Sequence, residues 1–139
     1  MRNHRTGRKI VCVDLDGVLA QYDGWKGIDV FGQPIEGAMK FTKELAKTYD
    51  VVIYTTRCCE EANKDDWPPR KLSHDLRRRV QLWLDSHGFT YHGVYVGQGK
   101  PQAVAYIDDK GIGCEPQRYG ILAFTEALDT LNKWKEEQE

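Results

Sequence analysis

Two pairs of aspartates carry the chemistry of this chain. Asp14 and Asp16 are separated by one leucine, and Asp108 and Asp109 are adjacent. Each pair closes a largely apolar run, Ile10–Val13 in the first case and Ala103–Ile107 in the second. Short apolar runs rich in β-branched residues and bounded by turn signals read as strands buried on both faces. Two carboxylates crowded at the end of such a strand repel, so a proton or a cation must be shared between them. An all-oxygen donor set suits a hard cation such as Mg²⁺. Gly17, directly after Asp16, lets the backbone turn sharply behind the acids. These residues therefore predict a metal-assisted carboxylate site at the carboxyl end of a central strand, where open α/β sheets bind ligands. A calcium loop does not fit, because its glycine belongs at the sixth position and Gly17 stands at the fourth. Asp14 and Asp16 as ordinary turn residues remain the alternative, and the rest of the chain has to decide.

Donors for an anion come from two other places. The apolar run Val51–Tyr54 ends in Thr55-Thr56-Arg57, and hydroxyl and guanidinium groups suit a phosphate. Residues 97–101, GQGKP, do not make a P-loop, since the lysine is followed by proline. Their role is to carry Lys100 to the strand ends. In a parallel sheet all of these ends share one edge, which then holds carboxylates for a cation and a hydroxyl and an amine for an oxyanion. Phosphoryl transfer needs that combination of positioning and charge neutralisation.

The elements that must position these groups alternate along the chain. Residues 20–34 are rich in glycine, carry Tyr22, Trp25 and Phe31, and predict a loop or small hairpin leaving the acid site. Its aromatics either stack on a substrate ring or pin the loop to the body, the latter being slightly favoured. Pro34–Thr48 predicts a helix with Ala38, Phe41 and Leu45 inward and Lys40, Lys43, Glu44 and Lys47 outward. The strand–helix–strand order implies a parallel pair with a right-handed crossover. Residues 58–70 form a second long loop. Lys71–His87 then has Leu72, Leu76, Val80 and Trp83 on one face, with Gly88 as its stop. Tyr91–Val96 reads as the third strand, Ala103–Ile107 as the fourth and Gly120–Phe124 as the fifth. Thr125 reads as the N-cap of a last helix whose inner stripe is Ala127, Leu131 and Trp134.

The chain has 139 residues, 40% hydrophobic and 29% charged, which suits one soluble domain with a single core. A formal net charge of −1 excludes a global field that would recruit nucleic acid or an anionic membrane. No apolar stretch approaches the length of a membrane span. Residues 1–8 are basic and read as a mobile tail, not a signal peptide, ahead of a single domain over residues 9–139. Cys12, Cys58, Cys59 and Cys114 show no metal-ligand spacing with each other or with the four histidines. They read as reduced thiols of a cytoplasmic protein. Arg77, Arg78 and Arg79 give the second helix a basic face that can track a nucleic-acid backbone. Asp75 and Asp85 dilute it, so a solvated surface is the favoured reading and nucleic acid the less favoured partner.

Taken in order, the motifs resemble the haloacid dehalogenase (HAD) superfamily of phosphohydrolases over roughly Lys9 to Phe124. Asp14-Leu15-Asp16-Gly17-Val18 is similar to its first motif, Thr55 to its second, Lys100 to its third and Asp108-Asp109 to its fourth. The resemblance implies an α/β fold, a Rossmann-like three-layer sandwich around a five-stranded parallel sheet. It implies Asp14 as the nucleophile that forms an aspartyl-phosphate and Asp16 as general acid and base. It implies Mg²⁺ held by the Asp14 side chain, the Asp16 carbonyl and Asp108, with Asp109 assisting. Thr55 and Lys100 would hold the phosphoryl oxygens, beside Thr56 and Arg57.

One departure matters. The intervals between motifs hold one helix and one loop each, so there is no room for the cap domain of many relatives. A capless site is covered only by residues 20–34 and 58–70. The implied reaction is phosphomonoester hydrolysis of a small phosphorylated substrate, with a nucleotide suggested by Tyr22, Trp25 and Arg57. A 3′-end phosphatase acting on nucleic acid and a non-catalytic phosphate or nucleotide binder are the competing functions. Oligomeric state is not legible.

Overall fold

The computed structural model describes residues 7–24, 26, 30–55, 69–95, 103–108 and 112–138. Its centre is β1 (Ile10–Asp14), whose Val11, Cys12 and Val13 are buried. On one side β1 pairs in parallel with β2 (Asp50–Tyr54), and on the other with β4 (Ala105–Asp108). The two-residue β3 (Gly93–Val94) lies outside β2 and the equally short β5 (Ile112–Gly113) outside β4. The sheet order is therefore β3-β2-β1-β4-β5, with every pair parallel. This puts the acid-bearing strands next to each other at the centre.

Three helices cover the sheet. They are α1 (Ala38–Leu45), α2 (Pro69–Ser86) and α4 (Leu122–Gln138), and a single turn, α3 (Pro116–Tyr119), precedes the last of them. Both crossovers from β1 to β2 and from β2 to β3 step the same way along the sheet, so their right-handed connections place α1 and α2 on one face. Helix α4 joins them there through Phe41 and Phe124, whose rings meet at 5.1 Å. The register puts Val11, Val13, Val51, Ile53, Ala105 and Ile107 on that same face. They form one core with Phe41, Leu45, Leu76, Val80, Leu84, Ala127 and Leu131. The opposite face carries Ile10, Cys12, Val52, Tyr54 and Tyr106, of which Cys12 alone is fully buried. Among the described residues α1, α2 and α4 thus all contribute to one core against this face of the sheet.

Most of the expected helical stripes are present. Ala38, Phe41 and Leu45 are buried, and Lys40, Lys43, Glu44 and Lys47 are exposed. Gly37 caps α1 with φ +90°, a conformation that costs glycine nothing. Helix α1 starts later than the sequence suggests, because Pro34 is engaged in a bridge to Ala20. On α2, Leu76 and Val80 are buried, and Gly88 ends the segment with φ +78°.

Several expected elements need correction. Gly120–Phe124 is not a strand: Gly120 and Ile121 form a turn, and α4 begins at Leu122. Ala123 and Phe124 are buried with Ala127 and Leu131, so the short apolar run is the first turn of a helical stripe. Thr125 accordingly lies inside α4, exposed, and caps nothing. Of the expected tail at 1–8, residues 1–6 lie outside the described residues. Arg8 is held in place, its Nη2 donating to the carbonyls of Ala46 and Tyr49 and its Nη1 lying 3.7 Å from Asp50 Oδ1. The third and fourth strands are shorter than, or shifted from, Tyr91–Val96 and Ala103–Ile107.

Candidate active site

In a parallel sheet the register decides which residues meet at the carboxyl edge. Asp14 is level with Tyr54, the last residue of β2, so Thr55 stands one step beyond it. Val13 is level with Ile107, so Asp14 and Asp108 end their strands side by side. Neighbouring strands are about 4.8 Å apart, which brings the two carboxylate-bearing positions together. Asp108 is buried, 8% exposed, and Thr55 is 2% exposed, while Asp14 and Asp16 are half-buried. Each of these four side chains or backbones is engaged in further interactions.

The chain folds back immediately after β1. Leu15 is fully buried, and its carbonyl accepts N–H groups from Leu19 and Ala20 at 2.9 Å and from Val18 at 3.3 Å. Gly17, at φ +86°, donates to the Ala20 carbonyl at 2.8 Å. This tight turn fixes Asp16 two residues past Asp14, because Val18, Leu19 and Ala20 are all anchored in the core. A hairpin follows, whose described arms are residues 20–24 and 30–34. Its arms are joined by Gln21 N–H to the Gln33 carbonyl at 2.8 Å and Ile35 N–H to the Leu19 carbonyl at 2.9 Å.

One aromatic of the hairpin, Phe31, packs on the body, while the Tyr22 side chain is exposed. Phe31 stacks on Trp83 of α2 with centroids 6.1 Å apart, and Trp83 Nε1 donates to the Gly32 carbonyl at 3.2 Å. On the other arm, the Tyr22 N–H donates to Gln117 Oε1, and Gln117 Nε2 donates back to the Tyr22 carbonyl. A depression of about 110 Å³ lies within the hairpin, lined by Gln21, Tyr22, Asp23, Gly24, Lys26, Val30, Phe31 and Gly32. None of the expected catalytic residues lines it. Trp83 and Gln117 carried no sequence signal for this role, since their partners lie 51 and 95 residues away.

The structure thus brings Asp14, Asp16, Thr55 and Asp108 to one edge. Thr56, Arg57, Lys100 and Asp109 lie outside the described residues, as do Trp25 and most of the second loop at 58–70. Among the described residues no three His, Cys, Asp or Glu side chains are gathered as a metal-binding group. Cys12 and Cys114 are free and buried, and burial pushes both thiols up to about 12. A thiol that holds its proton so firmly is neither nucleophile nor ligand at neutral pH. No described helix is long and apolar enough to cross a membrane.

Among solved structures, a crystal structure of a target protein from Vibrio cholerae superposes with a TM-score of 0.53 at 21% identity. It matches over 88% of this chain and 98% of its own. That likeness is one of fold. A D,D-heptose 1.7-bisphosphate phosphatase from B. bronchiseptica, crystallised with magnesium and phosphate, matches at a TM-score of 0.40 and 19% identity. It covers 80% of this chain and 59% of its own, and a similarity so distant carries no argument about chemistry. No family model matches the chain, and no curated protein matches it. Function must be argued from the residues themselves.

Proposed function

We propose that this chain is a Mg²⁺-dependent phosphomonoester hydrolase of the HAD type, working without a cap domain. The observation that carries this reading is the adjacency of three strand ends, Asp14 between Thr55 and Asp108, at the carboxyl edge. A structural sheet gains nothing from two neighbouring carboxylates there, whereas a cation site requires them.

The donor set fits magnesium. Asp14 and Asp108 are hard oxygen donors on adjacent strands, and the Asp16 carbonyl leaves the same strand end. Asp109 would assist them. The bound ion would neutralise charge on the phosphoryl oxygens and on the attacking carboxylate. Asp14 attacks phosphorus, forming an aspartyl-phosphate as the bond to the leaving oxygen breaks. Asp16 gives its proton to that oxygen. It then takes a proton from water, which attacks the aspartyl-phosphate and releases inorganic phosphate and a free Asp14. Thr55 holds one phosphoryl oxygen through its hydroxyl. Lys100, Thr56 and Arg57 would complete the anion site.

The substrate class is a small phosphorylated metabolite, with a nucleotide suggested by Tyr22, Trp25 and Arg57, of which Tyr22 is exposed on the hairpin after Asp16. The deciding experiment is hydrolysis of an aryl phosphate with Mg²⁺ and with EDTA, in the wild type and in Asp14→Asn. Turnover that needs the metal and vanishes in the variant is expected, because an amide is a poor nucleophile. Full activity in Asp14→Asn overturns the mechanism. Tight nucleotide binding without turnover under any divalent cation would make the protein a phosphate sensor instead.

A further inference from the structure

The corner where α3 turns into α4 leaves three large apolar side chains in water. Tyr119 is 58% exposed, Ile121 50% and Leu122 65%. A lone exposed apolar residue is ordinary, but three within four positions make a patch. The core does not lack for them, since Ala123, Phe124, Ala127 and Leu131 already supply the buried stripe of α4. The outward stripe runs Leu122, Glu126, Asp129 and Lys133, all exposed, and it is polar except at its first position. The corner is also held in place. Cys114 and Pro116 are buried ahead of it, Ala123 and Phe124 after it, and Gly120 makes the turn with φ +73°. Ile121 lies against Gly37 at the start of α1, where an added Cβ would come within 2.7 Å of its Cγ1. A patch anchored in this way loses little conformational entropy when it is covered.

We infer that this corner is a self-association surface, on which a second copy of the chain docks about a twofold axis. Charge and area both select that occupant. Arg118 precedes the apolar trio and Glu126 follows Leu122 by one helical turn, and both are exposed. Among the described residues neither forms a salt bridge within the chain. The Arg118 guanidinium lies 5.2 Å from the centroid of the Tyr119 ring, at the edge of the patch. In a twofold interface a patch meets itself in reverse. Reversal about Leu122 sets Arg118 of each copy beside Glu126 of the other, with the apolar residues between them. A rim of one sign would repel its own copy, and this rim attracts it. As to area, a large side chain has about 200 Å² of surface, so the three exposed fractions leave roughly 350 Å² of apolar patch. Interfaces are a little over half apolar, which gives about 600 Å² per copy and about 1,200 Å² in all. That is the low end for a specific complex, so the dimer should be reversible, with a micromolar or weaker dissociation constant. A formal net charge of −1 adds little long-range repulsion between copies. The inference stands apart from the phosphatase reading.

Sedimentation equilibrium on the full chain, from micromolar to millimolar concentration, measures the association directly. The wild type should pass from monomer to dimer within that range. Leu122→Lys should raise the dissociation constant by about tenfold or more. Its circular dichroism and thermal midpoint in dilute solution should match the wild type, because Leu122 faces water in the monomer. Arg118→Glu and Glu126→Arg should each weaken association several-fold, and the two combined should restore it. That recovery reads the pairing without depending on how Leu122→Lys folds. A wild type that stays monomeric throughout, or that assembles beyond a dimer, overturns the inference. A dimer that Leu122→Lys leaves intact places the interface elsewhere and overturns it as well. Weakening by both single charge variants without recovery in the double overturns the reversed pairing.

Discussion

Asp14 and Asp108 end adjacent parallel strands at the same level, although 93 residues separate them in the chain. Two like charges so placed are held close by the sheet itself and cannot drift apart without breaking the β1–β4 ladder. Whatever neutralises one therefore also acts on the other.

A divalent cation shared by the two should stabilise the fold. A ligand that binds only the native state at a hundred times its dissociation constant adds about 2.7 kcal/mol. Differential scanning fluorimetry should show Mg²⁺ raising the melting temperature of the wild type by several degrees. Asp108→Asn and Asp14→Asn should each lose that rise. A full Mg²⁺ shift in both variants would place the ion elsewhere.

Gly37 and Gly88 separate two costs of adding a methyl group. Both have positive φ, at +90° and +78°. A Cβ at Gly88 would meet open space, whereas one at Gly37 would lie 2.7 Å from Ile121 Cγ1 and 3.1 Å from Phe124 Cδ2. Gly88→Ala should cost about 1–2 kcal/mol from the left-handed backbone alone. Gly37→Ala should cost about 2–5 kcal/mol, because overpacking adds to it. Urea denaturation of both variants measures the gap, and equal losses would mean the α1–α4 contact yields freely.

Phe41 and Phe124 lock α1 to α4. Phe41→Ala should destabilise the protein by about 3–5 kcal/mol, since the ring is 2% exposed and leaves a cavity. A double-mutant cycle with Phe124→Ala should return a coupling of about 0.5–1.5 kcal/mol. A coupling of zero would show that the rings merely share the core.

Burial of Cys12 and Cys114 predicts an alkaline limit. Both thiols are raised by desolvation to about 12, above their unfolded value of roughly 8.5. The folded state thus holds protons that the unfolded chain gives up. Their contribution is fully present below about pH 8.5 and is lost as pH rises toward 12. Stability measured across that window should fall, and Cys12→Ala with Cys114→Ala should flatten the decline. Neither thiol should react with Ellman's reagent in the native protein at pH 8.

How far the residues in order could be read follows from what each signal depends on. Apolar runs such as Val11–Val13 and Val51–Ile53 are local, and so are acids at their ends and the 3.6 period of Ala38, Phe41 and Leu45. Those features placed the central strands, the first two helices and the position of Asp14, Asp16, Thr55 and Asp108 at strand ends. Ile121–Phe124 misled because a four-residue apolar run fits a strand or one turn of a helix equally well. Only Ala127 and Leu131, buried in the same core, decide for the helix.

The order of residues along the chain determined that acids and a hydroxyl would sit where buried strands stop, because hydrophobic patterning and turn chemistry are written within a few positions of each other. Tertiary structure alone decided that Asp14 and Asp108 are neighbours, that the long helices contribute to one core, and that Trp83 holds Gly32. Those facts depend on register and crossover geometry between segments tens of residues apart, and no local pattern encodes them.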